Sequence, residues 1–148
     1  MTSCMISQPR YLPALSYLQR IRNCDVFIIL DTVQHNRQDF EHRNRIGDQA
    51  GAKWLSLPLD RSVGSRPLIK QLMLLNEASL QQHCDSILSI YQHADQFNEE
   101  LTRSLYEPLH TIDFVSVLLQ MLERTFNLLR CGKDGDRRWL RASNLPVN

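Results

Sequence analysis

A group of polar side chains follows a short apolar run early in the chain and gives the first indication of chemistry. Asp31 ends the run "VFIIL", and Gln34 and His35 follow within four residues. A carboxylate in this position can remove a proton from an acceptor amine or hydroxyl, or hold the ammonium form of the amine. We therefore predict that Asp31 and Gln34 are catalytic residues. A structural alternative stays open, in which Asp31 caps the loop and forms an ion pair with Arg43 or Arg45.

The segment Arg43–Asn44–Arg45 follows a few residues later and indicates an anion site. Two guanidinium groups around an amide can hold a phosphate or a carboxylate through paired hydrogen bonds. Residues 1–74 carry ten Lys or Arg against six Asp or Glu, although the net charge of the whole chain is only +1. A local positive surface in this half suits a small anionic or nucleotide-linked substrate. We predict that all three residues bind it. Ordinary solvated surface charge is the alternative.

The loop "SQPRYLP", residues 7–13, is stiffened by two prolines on either side of an arginine and a tyrosine. Stiff loops lose little entropy when they bind a ligand. Gln8 could orient a substrate here, and Tyr11 or the later Trp54 could offer a sugar or a base a flat apolar wall. We predict that the loop is part of a ligand-binding rim. The alternative is a rigid turn in which Tyr11 covers the core.

The elements around these residues predict a βαβ unit. "SCMIS" has the character of a short strand, "LPALSYLQRIRNCD" has apolar residues at helical spacing, and "DVFIILD" is a continuous apolar run. Such a run is typical of a strand that is covered on both faces in a parallel sheet. Ligands of parallel sheets bind at the carboxyl ends of the strands, where the loop 7–13 and Asp31 would face each other.

The remainder of the chain predicts a hairpin, three helices and a final strand. "RNRI" and "AKWLSLPL" flank "GDQAG", whose glycines would allow a hairpin or a wide turn. "LIKQLMLL" fits a short strand or the start of the helical part. Apolar periodicity predicts helices from about residue 76 onward, the third with Thr111 as its N-cap and an end near Gly132. "RRWLRAS" predicts a strand. The fold class is therefore α/β, a small mostly parallel sheet from an N-terminal βαβ unit with a helical second half, in one domain, 1–148.

Several function classes are disfavoured by composition and spacing. The four cysteines at positions 4, 24, 84 and 131 are far apart and form no C-x-x-C pair, so we predict no metal, and the cofactor stays unknown. There is no apolar segment of membrane-spanning length, which predicts no membrane insertion and a cytoplasmic location. The near-zero net charge gives no strong nucleic-acid signal. The common phosphate-binding and nucleophile motifs are absent.

Four of these segments, in this order, resemble the WbqC-like proteins of bacterial O-antigen and other surface-polysaccharide gene clusters. They are a Q-P-x-Y-L-P turn, a strand ending in D-x-V-Q, the R-N-R-I segment and a W-L-x-x-P strand, and the resemblance extends through "TIDF" to "LRASNL". It implies a transferase of polysaccharide decoration that attaches an amino acid or an acyl group to an amino sugar. By position it singles out Gln8, Tyr11, Asp31, Gln34, Arg43, Asn44, Arg45 and Trp54.

Two departures from the family pattern bear on activity. The family usually has a second acid directly after the position of Asp31, where this chain has Thr32. The family also continues beyond the last residue of this chain, which predicts that a C-terminal portion of the family domain is missing here. Chemistry that needs both carboxylates would be lost in this chain.

The group-transfer enzyme is therefore the first functional hypothesis, and three alternatives remain. One is a nucleotidyltransferase-like enzyme whose first strand, loop and helix hold a nucleotide, although the loop lacks the paired histidines usual in such enzymes. Another is a transferase that acts on a modified nucleobase. The last is a non-catalytic accessory or binding module, which Thr32 favours.

Overall fold

A computed structural model of the protein describes residues 1–48, 51–128 and 138–146, and its first element is the predicted βαβ unit. Strand β1 (Cys4–Ser7) leads through helix α1 (Leu15–Arg22) into strand β2 (Val26–Ile29). The two strands are parallel, with Met5 beside Phe27. The prediction for this part of the chain is confirmed.

A glycine-dependent hairpin follows the polar loop, as predicted. Strands β3 (Arg43–Asp48) and β4 (Gly51–Ser56) are antiparallel, with Arg45 opposite Trp54. A Cβ atom at Gly47 would lie 2.3 Å from the carbonyl oxygen of Gly51, so the strands can approach this closely only because position 47 has no side chain.

Three helices make up most of the second half: α2 (Ala78–Tyr91), α3 (Glu99–Leu105) and α4 (Phe114–Leu128). Helix α4 begins two residues later than a Thr111 N-cap would require. The cap is Asp113, whose carboxylate accepts a hydrogen bond from the backbone N–H of Ser116 at 2.9 Å. The predicted end of this helix at Gly132 lies outside the described residues.

The segment "LIKQLMLL" forms neither a regular strand nor a helix of the α type. It contains a single 3₁₀ turn, Ile69–Gln71. Backbone bonds join this turn to the loop after β2: the N–H of Ile69 donates to the oxygen of Val33 at 2.9 Å, and the N–H of Lys70 donates to the oxygen of Asp31 at 2.8 Å. The turn therefore fixes the start of the loop that carries the predicted catalytic residues.

The last predicted strand is present and completes the sheet. Strand β5 (Arg138–Arg141) runs parallel to β2, and the order is β1-β2-β5. With its parallel sheet and four helices the fold is α/β, as predicted.

Both crossovers of the sheet place their helices on one face. Tyr17 of α1 packs edge-on against Phe27, and Phe126 of α4 packs edge-on against Trp139. The opposite face is more open within the described residues, where Ile6 is 61% exposed. The expectation that β2 is covered on both faces is therefore not met by this part of the chain. Successive right-handed connections that advance in one direction across a sheet deposit their helices on the same side.

Candidate functional site

Asp31 lies at the carboxyl end of β2, where its side chain is completely buried and both carboxylate oxygens accept hydrogen bonds. Its carboxylate accepts hydrogen bonds from Arg141 Nε at 2.9 Å, from the backbone N–H of Ser143 at 2.8 Å and from Ser143 Oγ at 2.6 Å. Burial raises the pKa of Asp31, but the hydrogen bonds from Ser143 and Arg141 outweigh it and hold the pKa below its usual value. Asp31 therefore forms an ion pair, with an arginine 110 residues away.

The same arginine connects Asp31 to the helical layer. Arg141 Nη1 donates to Asp113 Oδ2 at 2.9 Å, and Asp113 in turn caps α4. We name Asp31, Asp113, Arg141 and Ser143 the anchor cluster. It ties the end of β2, the end of β5 and the start of α4 together, because neighbouring parallel strands end at the same edge of the sheet.

The loop 7–13 turns its tyrosine into the core. Tyr11 is 0% exposed, and its hydroxyl shares hydrogen bonds with Tyr106 at 2.7 Å and with His83 Nδ1 at 2.8 Å. Burial raises the pKa of Tyr11 well above its usual value. The carbonyl of Gln8 accepts a hydrogen bond from Tyr17. In this conformation the Tyr11 ring is a core element, and Tyr11 is also among the residues that line a cavity of about 440 Å³ together with Asn44.

The backbone of this loop holds the segment that precedes β3. The N–H of Tyr11 donates to the carbonyl oxygens of Phe40 and Glu41 at 3.2 and 3.1 Å. Asn44 Nδ2 donates to the carbonyl oxygens of Tyr11 and Leu12 at 3.2 and 2.5 Å. Leu12 has φ +47°, a left-handed conformation that is costly for a leucine, and the bond from Asn44 helps to hold it.

Arg43 and Arg45 lie on the other side of β3 from Asn44, because side chains alternate along a strand. Both guanidinium groups lie over the ring of Trp54, at 4.3 and 5.8 Å from its centroid, and the ring is partly exposed. Phe40 packs beside Trp54. Among the described contacts, no hydrogen bond or ion pair joins these arginines to Asp31 or Gln34, so the predicted site residues fall into separate groups.

The polar loop contains a buried group that the sequence analysis did not single out as a site. His35 Nδ1 and Glu41 Oε2 are hydrogen-bonded, and both side chains are 2% exposed. The backbone N–H of Asn36 donates to the same oxygen of Glu41 at 3.1 Å. The ring of His42 lies 4.9 Å from that of His35. We name His35, Glu41 and His42 the histidine cluster.

Three buried atoms of the histidine cluster have no hydrogen-bond partner within the described chain: His35 Nε2, Glu41 Oε1 and His42 Nδ1. Burial, with the nearby charges of His35, Arg43 and Arg37, lowers the pKa of His42 to about 4, so its ring is neutral at physiological pH. In the sequence, the segment "HNRQDFEH" contains all three residues of the histidine cluster. Two histidines and a glutamate in a loop without periodicity do not reveal which of them touch.

A cavity of about 670 Å³ opens beside the histidine cluster. His35 and His42 line it together with apolar residues such as Leu57 and Leu59, and Arg37 and Arg61 stand at its border. A second cavity of about 460 Å³ shares His35 and Arg37 with the first and is also lined by Gln34, Asn36, Ser65 and Arg66. The structure therefore brings Gln34, among the predicted residues, next to the histidine cluster.

Three arginines of these cavities form no ion pair with another described residue, although Asp60 also lines the larger cavity. The ion pairs formed by the described residues do not include Arg37, Arg61 or Arg66. Among the same residues, no three His, Cys, Asp or Glu side chains are arranged to hold a metal ion. No helix in the described part of the chain is both long and apolar enough to traverse a bilayer.

The chain is similar to a protein family and to one curated protein. The model of the WbqC-like protein family matches residues 8–146 of the chain. The uncharacterized protein Rv1507c of Mycobacterium tuberculosis (strain ATCC 25618 / H37Rv) is similar, with 27% identity over 99 residues. That alignment covers 67% of this chain and 43% of the mycobacterial protein, so the chain spans less than half of this relative. No solved structure matches.

Proposed function

This chain belongs to the WbqC-like protein family, and we propose that it is a group-transfer enzyme. The group transferred is an amino acid or another acyl group, and the acceptor is an amino sugar or a related nucleotide-linked molecule. The reaction belongs to the biosynthesis of surface polysaccharide, such as O-antigen. A nucleotide-linked acceptor carries phosphate groups, so the site has to bind an anion.

The observation that carries the proposal is the pair of cavities with three arginines at their border that form no ion pair within the described part of the chain. A volume of about 670 Å³ is sufficient for a small-molecule substrate. Arg37, Arg61 and Arg66 can bind phosphate or carboxylate oxygens in the bidentate manner that favours arginine over lysine. The apolar walls around Leu57 and Leu59 suit the uncharged part of a substrate, such as an acyl group.

The predicted catalytic and binding residues take different parts in this proposal. Gln34 lines a cavity and is in position to orient a substrate through its amide. The catalytic role of Asp31 stays a prediction, and the three hydrogen bonds on its carboxylate favour a positioning role instead. Gln8, Tyr11 and Asn44 support the loop. Arg43, Arg45 and Trp54 are on an accessible surface of the hairpin and stay predicted as binding residues.

The proposal treats residues 1–148 as one domain that works in the cytoplasm. A single buried cluster joins residues of the βαβ unit, such as Phe27, to residues of the helical half, such as Phe114. Cys4, Cys24 and Cys84 are unpaired thiols, which persist in a reducing compartment.

Binding of anionic substrates is the first test. We expect UDP-glucosamine or UDP-N-acetylglucosamine to raise the melting temperature and to bind in calorimetry. Arg37→Ala and Arg66→Ala should each weaken binding about tenfold or more, because each removes a charge-assisted hydrogen bond. Arg22→Ala, an exposed arginine on α1, is the matched control and should leave binding within about twofold.

Two outcomes would count against the enzyme. If nucleotide sugars, nucleotides and amino acids all fail to shift the melting temperature, the accessory-module hypothesis is favoured. If Arg37→Ala and Arg66→Ala bind as tightly as the control Arg22→Ala, the cavities are not the anion site.

A further inference from the structure

We propose that His35 is the catalytic residue that accepts a proton from the acceptor amine or hydroxyl, with Glu41 as its positioning residue. This inference rests on the proposed group transfer and adds the group that performs its proton transfer. It is carried by the geometry of the histidine cluster, its unpartnered atoms and its place in the cavity wall.

The hydrogen bond between His35 and Glu41 determines which ring nitrogen is basic. A carboxylate oxygen can only accept, so Nδ1 of His35 carries the hydrogen of this bond. In the neutral ring Nε2 then keeps its lone pair and is ready to take a proton. The N–H of Asn36 holds the same carboxylate oxygen in place. A glutamate fixed in this way both orients the ring and stabilises the imidazolium that forms.

The unpartnered atoms distinguish this cluster from an ordinary buried polar contact. A buried polar atom without a partner costs about 1–3 kcal/mol, and most buried polar atoms in folded proteins are paired. Within the described chain His35 Nε2, Glu41 Oε1 and His42 Nδ1 are all unpaired. His35 lines both cavities, and Nε2, which is buried in this conformation, has to come within hydrogen-bond distance of the acceptor when a substrate binds.

The charges around His35 act in opposite directions on a proton held there. The negative charge of Glu41 stabilises the imidazolium, and the positive charge of Arg37 at the cavity border disfavours it. His42 is neutral and does not bring a second positive charge onto the pair. A proton taken from the acceptor therefore resides on His35, next to the carboxylate.

The backbone around the cluster holds its members in register. The N–H of His35 donates to the carbonyl oxygen of Pro67 at 2.9 Å, and the carbonyl of Glu41 accepts from the N–H of Tyr11. Asn44 fastens the loop 7–13 from the other side. The stiff Q-P-x-Y-L-P turn thus gains a function in this proposal, because it anchors the segment from which Glu41 reaches His35.

The proposed acyl transfer forms one bond to the acceptor and breaks one bond in the donor. The nitrogen of a neutral acceptor amine attacks the carbonyl carbon of an activated acyl donor, such as an acyl phosphate, an acyl thioester or an activated ester. The new C–N bond forms, and the bond to the leaving group breaks with its electron pair. One proton of the amine passes to Nε2 of His35. The imidazolium then returns that proton to the leaving group or to solvent.

The test measures acyl transfer from p-nitrophenyl acetate to glucosamine, followed by release of p-nitrophenolate and by mass spectrometry of N-acetylglucosamine. We expect the protein to accelerate the reaction and His35→Asn to reduce the acceleration by about 100-fold, the usual contribution of a proton-transfer group. Glu41→Gln should give an intermediate loss. His93→Asn, which removes an exposed histidine of the α2–α3 connection, is the matched control and should keep the full rate.

Histidine ¹⁵N NMR supplies a readout that is independent of turnover. In the wild-type protein we expect hydrogen on Nδ1 and none on Nε2 of His35, and in Glu41→Gln a mixture of the two tautomers. Thermal melting establishes that each variant is folded. If His35→Asn does not fold, the rate and tautomer of Glu41→Gln test the proposal instead.

The outcomes separate this inference from the proposed function. Equal rates in the wild type and in folded His35→Asn, or hydrogen on Nε2 of wild-type His35, would overturn the role of His35. If nucleotide sugars still bind in that case, the proposed substrate class stands without this proton acceptor. A rate that depends on His35 in a protein that binds no nucleotide sugar would support His35 and contradict the proposed substrate class.

Discussion

Two buried acids of the same loop region, Asp31 and Glu41, have opposite surroundings. Asp31 is 0% and Glu41 1% exposed, and they are ten residues apart in sequence. The carboxylate of Asp31 accepts hydrogen bonds from the guanidinium group of Arg141 and from the backbone N–H and the hydroxyl of Ser143. Glu41 binds a histidine and one backbone N–H, and its second oxygen has no partner in the described chain.

The number of hydrogen bonds on each carboxylate indicates whether the acid stabilises the fold or can take part in a reaction. A carboxylate whose hydrogen-bonding capacity is filled by charged and backbone donors holds elements together and has little left to offer a substrate. A cluster that keeps unpaired atoms beside a cavity costs stability and is available for binding or proton transfer. The anchor cluster is the first kind, and the histidine cluster is the second.

The largest expected effect contrasts the two acids directly. Asp31→Asn should lower the free energy of unfolding by about 2 kcal/mol or more, because Arg141 loses its buried partner and keeps only Asp113, and because the new amide group cannot accept all the hydrogen bonds of the carboxylate. Glu41→Gln should lower it by about 1 kcal/mol or less, because the amide keeps the volume and is cheaper to bury than a half-paired carboxylate. Urea denaturation of both variants measures the two values. A larger loss for Glu41→Gln than for Asp31→Asn would break the comparison.

The pH dependence of stability is a second test of the difference between Asp31 and Glu41. The folded pKa of Asp31 is lowered, so the stability it contributes is present above the ordinary carboxyl pKa and is lost as the pH falls through the folded value. We therefore expect the free energy of unfolding to fall in acid below about pH 4, and to fall less steeply in Asp31→Asn.

A partly exposed acid with a lowered pKa is the control for that measurement. Asp60 accepts from the backbone and the side chain of Ser62, outside the core. Asp60→Asn should therefore keep most of the wild-type acid dependence. Identical pH profiles for the wild type and Asp31→Asn would show that the anchor cluster does not cause the loss of stability in acid.

The smallest predicted effect removes one donor of the anchor cluster. Ser143→Ala deletes the hydroxyl on Asp31 but keeps the backbone N–H, so we expect a loss of about 1 kcal/mol in urea denaturation. Ser62→Ala removes a comparable hydroxyl from a partly exposed carboxylate and should change the free energy by less than about 0.5 kcal/mol. Equal effects of the two substitutions would argue that burial does not strengthen the anchor cluster.

Local pattern was sufficient for most of the fold. The apolar run before Asp31 and the helical spacing before it predicted the βαβ unit, and the glycines near residue 47 predicted the hairpin, because both signals act between near neighbours in the chain. The start of α4 was placed two residues early, since Thr111 and Asp113 are both good caps and only the position of Ser116 decides between them.

The site was less predictable, because its contacts join residues that local pattern does not relate. The sequence by itself determined that polar and charged groups collect in the loop after β2, and that a stiff turn precedes them. Only the tertiary structure decided that Asp31 pairs with Arg141, 110 residues away, and that Glu41 pairs with His35. The first pair forms because β5 lies beside β2 in the sheet, which brings Arg141 within hydrogen-bond distance of Asp31. The second pair forms because the backbone N–H of Tyr11 binds the carbonyl oxygens of Phe40 and Glu41 and so fixes the segment before β3.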